Sequence, residues 1–148
     1  MNAAARGAAL VCVAVAVSCA AVPRGELDGT PASAPQRWEF SDPEQPCWIE
    51  TRAPEPSSIR VGCYAIDGVL HIHSTRFADG WRLFGESWVQ KARRAPSVRV
   101  EVEGQVFSLR ALEVTDPERR EEILAGRGFD PVPGGIRVFS FEERPHER

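Results

Sequence analysis

The sequence predicts an α+β domain in which an antiparallel sheet curls into a small β-barrel carrying two short helices. Three observations predict it. Apolar residues alternate over strand-length runs, Asp67-Gly68 and Glu103-Gly104 mark hairpin turns, and two capped helical stretches interrupt the strands singly. The order strands, helix, strands, helix, strand argues against a doubly wound parallel sheet. With 148 residues, 43% hydrophobic and 26% charged, the chain holds one compact domain plus tails.

The chain begins with a segment of different character. Arg6 precedes an apolar run from Ala8 to Val17, short for a bilayer span and right for a signal peptide, so residues 1–22 predict export. Ala16-Val17-Ser18-Cys19 resembles a bacterial lipobox, in which Cys19 would be lipidated and become the first mature residue; a plain cut near Ala21 or an uncleaved anchor is the alternative. The mature protein is then a membrane-anchored lipoprotein, or periplasmic or extracellular, touching membrane only through its N-terminus. Loss of Arg6 takes 18 basic residues to 17 against 21 acidic, a net of −4, which excludes a general nucleic-acid binder.

Residues 23–46 carry Pro23, Pro31, Pro35, Pro43 and Pro46 among small and acidic residues and predict a linker, with Trp38 and Phe40 available to dock back. The domain proper is expected over 47–148. Cys47 to Thr51 has strand character, Pro54 and Pro56 break it, and Ile59 to Ile66 turns at Asp67-Gly68 into a strand from Val69 to Ser74. Residues 75–87 are expected to form a loop or distorted strand. Ser87 and Gln90 stand at capping-box spacing, so a helix starts at Trp88 and stops before Pro96. Val98, Val100 and Val102 then alternate with Arg99, Glu101 and Glu103, and Val106 to Val114 completes a second hairpin. Thr115 and Glu118, with Pro117 between them, predict a second helix to about Ala125, ended by Gly126. Gly134-Gly135 releases a closing strand from Ile136 to Phe141.

Cys47 and Cys63 are the cysteines of the body, and in an oxidising compartment they can form a disulfide or stay as two buried thiols. They make neither a CxxC redox motif nor a zinc site. His71 and His73 share one strand face; without a third ligand in the sequence they read as half-exposed histidines or as one lining a ligand cleft, not as a metal site. No spacing joins a nucleophile to a base, so no catalytic residue is assigned.

Trp88, Pro96, Val98 and Val100 resemble the Trp, Asn-Pro, Val-x-Val register of the split β-barrel flavin and deazaflavin proteins. These include the pyridoxamine-phosphate-oxidase-like and deazaflavin-dependent nitroreductase-like families. Tyr64 to Leu70 matches their preceding hairpin and Val114 to Glu118 their following helix start, so the resemblance spans residues 48–141. Lys91 and Ala92 depart from the family's Asn-Leu pair, and the glycine-rich segment before the first hairpin is replaced by Glu50-Thr51-Arg52-Ala53-Pro54.

The resemblance implies a split barrel that binds FMN or deazaflavin, often at a homodimer interface. It also implies an oxidoreductase that moves hydride between that cofactor and a small molecule. The matching phosphate-holding positions are Ser74, Thr75, Arg76, Trp88 and Lys91, with Arg60, Arg93 and Arg94 nearby. Read without the family, Lys91, Arg93 and Arg94 are a solvated helix face and Trp88 a core anchor. The alternative function is a cofactor-free lipoprotein binding or interaction module of the same fold.

Overall fold

The computed structural model describes residues 24–75 and 85–144, and all that follows concerns these. The predicted leader, Cys19, Arg76 and His146 lie outside them. Seven strands and two helices occur among the described residues: β1 (Thr30–Ala32), β2 (Gln45–Thr51), β3 (Ser57–Ile66), β4 (Val69–His73), α1 (Trp88–Arg94), β5 (Ser97–Val102), β6 (Gln105–Glu113), α2 (Pro117–Arg127) and β7 (Val138–Glu143).

Six of the strands close a barrel. They run β6-β5-β2-β3-β4-β7, every pairing is antiparallel, and β7 returns to pair with β6 from Leu109 to Glu113. The predicted α+β antiparallel barrel with two short helices is thus the observed fold. Because β5 occupies one edge of β6, the other edge is shared: β7 takes its C-terminal half, and β1 pairs in parallel with Gln105 to Phe107. An edge that would present unpaired backbone groups is filled by the N-terminal segment.

The alternation read from the sequence decides what fills the barrel. Cys47 and Ile49 of β2, Leu70 and Ile72 of β4, Val98, Val100 and Val102 of β5, and Phe107, Leu109 and Ala111 of β6 all belong to one buried cluster. Cys47 and Cys63, on neighbouring strands, are joined as a disulfide with Cα atoms 5.9 Å apart. Constraining the unfolded chain in this way contributes roughly 3 kcal/mol. Asp67 and Gly68 both take positive φ, 56° and 81°, the backbone demanded by the tight β3–β4 turn.

Each end of the barrel is stoppered by a tryptophan. α1 inserts Trp88, Val89 and Ala92 into the core at one end, where the Trp88 ring lies 5.1 Å from that of Phe139. At the other end Trp38 is 8% exposed and stands edge-on to Phe107 at 5.0 Å, with Phe40 packed beside it. Where the sequence suggests a linker, residues 24–46 form a strap along the barrel wall. Arg24 bridges to Ser58, the Leu27 amide donates to Glu50 Oε2 at 2.6 Å, Thr30 donates to the Gly104 carbonyl, and Trp38 donates to the Gly68 carbonyl. The prolines accommodate this path because the strap uses only scattered backbone donors.

The helices differ in how well their ends follow the sequence. α1 has the expected capping box, with Ser87 and Gln90 each receiving from the other's backbone. α2 is capped by Asp116 rather than Thr115: the Asp116 carboxylate accepts from the Glu118 amide at 3.0 Å. It also runs through Gly126 to end at Gly128, whose φ of 106° lets its amide close on Ala125 and Leu124. Gly126 instead supplies clearance, since a Cβ there would lie 3.2 Å from Ile66 Cδ1.

Candidate functional site

The residues predicted to hold a cofactor phosphate cluster at no single open cleft. Ser74 is buried, and its hydroxyl donates to the Thr75 carbonyl and accepts from the Arg137 amide, both at 2.9 Å. Together with the bond from the Ser74 amide to the Arg137 carbonyl, it ties the end of β4 to the segment entering β7. Thr75 is exposed. Arg60 is exposed on the outer wall of β3, opposite Trp48 of β2.

The α1 side chains are committed in a similar way. Trp88 is a core residue. Arg93 grips Glu113 with two bonds of 2.6 Å, and Arg94 grips Glu86 at 2.5 and 2.7 Å, so each guanidinium already has a carboxylate partner. Lys91 is half-buried, and no ion pair engages it among the described residues. The helix has only 7 residues, and its cap satisfies donors at its N-terminus internally. Ser74 and Trp88 are thus engaged in the fold and Arg94 in a surface ion pair with Glu86, while Thr75, Lys91 and Arg60 keep groups that an anion could meet.

A second polar cluster was only half legible in the sequence. His71 and His73 do share a face, as the alternation predicts: it is the outer wall of β4, where His73 is half-buried as expected and His71 is only 1% exposed, beside Tyr64 of β3 and Phe129 just after α2. The His71 ring stacks on Tyr64 at 5.8 Å; the His73 ring lies 5.5 Å from Tyr64 and meets Phe129 edge-on at 5.2 Å. Arg127 of α2 places its guanidinium 5.9 Å over the Tyr64 ring and pairs with Glu44. His71 Nδ1 lies 2.9 Å from the Val69 carbonyl, which requires a proton on Nδ1 if the two bond. Tyr64 Oη, His73 Nδ1 and Arg127 Nε are buried with no hydrogen-bond partner.

Burial sets the ionisation here. It lowers both imidazoles below the ordinary histidine value; for His71 the nearby Arg119 adds to the effect, against the Val69 carbonyl and Asp67. The same burial pushes the Tyr64 phenol up, so all three groups are neutral near pH 7. No group of three or more His, Cys, Asp or Glu side chains that could hold a metal ion occurs among the described residues.

A groove of about 370 Å³ opens at the Trp38 end. Its walls combine the strap with the β5–β6 hairpin: Trp38 and Phe107 form an apolar floor, and Arg37, Gln45, Glu103 and Gln105 form a polar rim. Gln45 reaches Glu103 across it at 3.4 Å. The sequence could not indicate this groove, because its two walls are joined only by the docking of the strap.

No protein-family model and no curated protein matches the sequence. Among solved structures, the chain is similar to a NimC/NimA family protein from Clostridium acetobutylicum, at 18% identity and a TM-score of 0.45, with 65% of this chain and 72% of that chain covered.

Proposed function

We propose that the chain is an exported binding module built on a split barrel, with no resident flavin, that receives a small polar ligand in the groove at its Trp38 end. The observation that carries this reading is the internal commitment of Ser74, Trp88 and Arg94, the groups a cofactor phosphate and ring would need. The groove volume of about 370 Å³ lies in the range of small-molecule sites, and its rim offers amides and both signs of charge. Export and N-terminal lipidation at Cys19 belong to the same proposal and are read from the leader sequence, and homodimer formation is carried over from the family resemblance.

A second reading, an FMN- or deazaflavin-dependent oxidoreductase, is favoured by Lys91, half-buried on α1 and outside any ion pair among the described residues. When bound, such a cofactor would supply the hydride chemistry, and Lys91, Thr75 and Arg60 would contribute charge and hydroxyl contacts.

One titration separates the two. FMN and reduced deazaflavin are added separately to residues 23–148, and cofactor fluorescence is followed. No saturable quenching is expected at high micromolar concentration. Saturable quenching that disappears in Lys91→Ala together with Arg76→Ala overturns the cofactor-free reading. Mass spectrometry of the mature N-terminus distinguishes a lipidated Cys19 from a plain cut further on.

A further inference from the structure

We propose that α2 is an acid-released flap: protonation of His71 and His73 beneath it lifts the helix from the outer wall of β3 and β4 and bares that wall to solvent. This proposal does not depend on what occupies the groove.

The geometry that carries it starts with how lightly α2 is held. Two of its residues are buried, Ile123 and Leu124, and they pack with Tyr64, Ile136 and Val138 as a cluster separate from the barrel core. The barrel therefore keeps its own core when the helix leaves. Beneath the helix lie two imidazoles, one only 1% exposed, and neither is ion-paired among the described residues.

The surroundings decide the response to a proton. From α2, Arg127 and Arg119 face the cluster. Arg127 is matched by Glu44, and Arg119 by Glu122 and Asp67. From β3 comes Tyr64, which is neutral, and from the segment after α2 comes the apolar ring of Phe129. Arg137 lies beyond Ser74 at the end of β4. Asp67, on the exposed β3–β4 turn, is the one acid that favours a charged His71, and it is bonded to Arg119. A proton on the His71 ring thus enters a buried site bordered by guanidiniums whose carboxylates are already engaged, and one on the half-buried His73 ring loses part of its hydration. The charged ring regains water when α2 moves away, which couples protonation to release. Three of the four buried unpartnered polar atoms among the described residues, on Tyr64, His73 and Arg127, belong to this same interface, so opening it restores their hydration.

Amide hydrogen exchange tests this directly on the mature chain, with rates referred to the intrinsic rate at each pH. Between about pH 7.5 and about pH 5, amides of residues 121–128 should lose about tenfold or more of their protection while those of β5 and β6 keep theirs. In His71→Gln/His73→Gln the protection of α2 should not change with pH. The proposal is overturned if α2 keeps its protection in acid, or if the double variant loses it as the natural chain does. Should the variant fail to fold, imidazole proton resonances of the natural chain provide the second readout. The flap requires them to titrate below about 6.5 and together with α2 amide shifts, and titration at or above that value overturns it.

Discussion

Glu50 shows most plainly how a single side chain can fix a long segment. It sits on the outer wall of β2 yet has no exposed surface, because Leu27 of the strap covers it and donates its amide to Oε2 at 2.6 Å. Arg99 and Arg52 approach the same carboxylate at 3.5 and 3.7 Å. Truncation leaves the Leu27 amide and Arg99 without this acceptor, so Glu50→Ala should cost about 3 kcal/mol in a urea melt. It should also expose residues 24–32 to protease. Ser74 makes a similar case on a smaller scale: Ser74→Ala removes the hydroxyl that accepts from the Arg137 amide and should cost about 1 kcal/mol without altering any flavin titration. Neither role was legible in the sequence. Residue type marks Ser74 as able to bind a phosphate, but a backbone amide 63 positions away claims its hydroxyl. Glu50 falls in a segment with strand character, and nothing local reveals that the strap lies over it. For Cys47 and Cys63 the sequence left pairing open, since their proximity depends on the register between β2 and β3.

At the level of elements, what is decided locally was read well. The capping box and Pro96 bound α1 at both ends, and Asp67-Gly68 sets the β3–β4 turn, because each signal acts through neighbours in the chain. The start of α2 was misplaced by one residue because Thr115 and Asp116 are both capping types, and the bond to the Glu118 amide selects Asp116. Its end was misplaced because Gly126 is needed for clearance against Ile66, a contact distant in sequence. Asp116→Ala should therefore destabilise the protein by about 1 kcal/mol, whereas Thr115→Ala should change little in the same melt. The α2 interface also fixes a pH dependence. His71 and His73 titrate lower folded than unfolded, so protons bind the unfolded chain more readily. Their contribution is complete above the unfolded value of about 6.5 and is lost as pH falls below it. Chemical denaturation across that window should show stability declining toward acid, and a curve that is flat or rises would contradict this reading of the cluster.

For the whole molecule, the barrel was legible and its closure was not. Period-two alternation over β2 to β6 reports one buried face per strand, which is enough to expect an antiparallel sheet that curls. How the ends are sealed depends on Trp88 arriving from α1 and Trp38 from the strap; the sequence offers Trp38 and Phe40 for docking, as observed, but composition assigns the rest of their segment to a linker. Prolines and small residues read as a tether because local pattern contains no term for docking onto a distant surface. The candidate site suffered in the same way: the sequence located cations near α1, while Glu86 and Glu113, which engage two of them, are set there by the fold. The strap is part of the domain: it fills the open edge of β6, stoppers the barrel and builds one wall of the groove. The most direct measurement compares thermal unfolding of residues 24–148 with residues 47–148. Loss of Trp38 alone corresponds to about 3 kcal/mol or more, so the shorter chain should unfold at a much lower temperature or without a cooperative transition. Coincident, equally cooperative transitions for the two chains would show that residues 24–46 are not part of the folded domain.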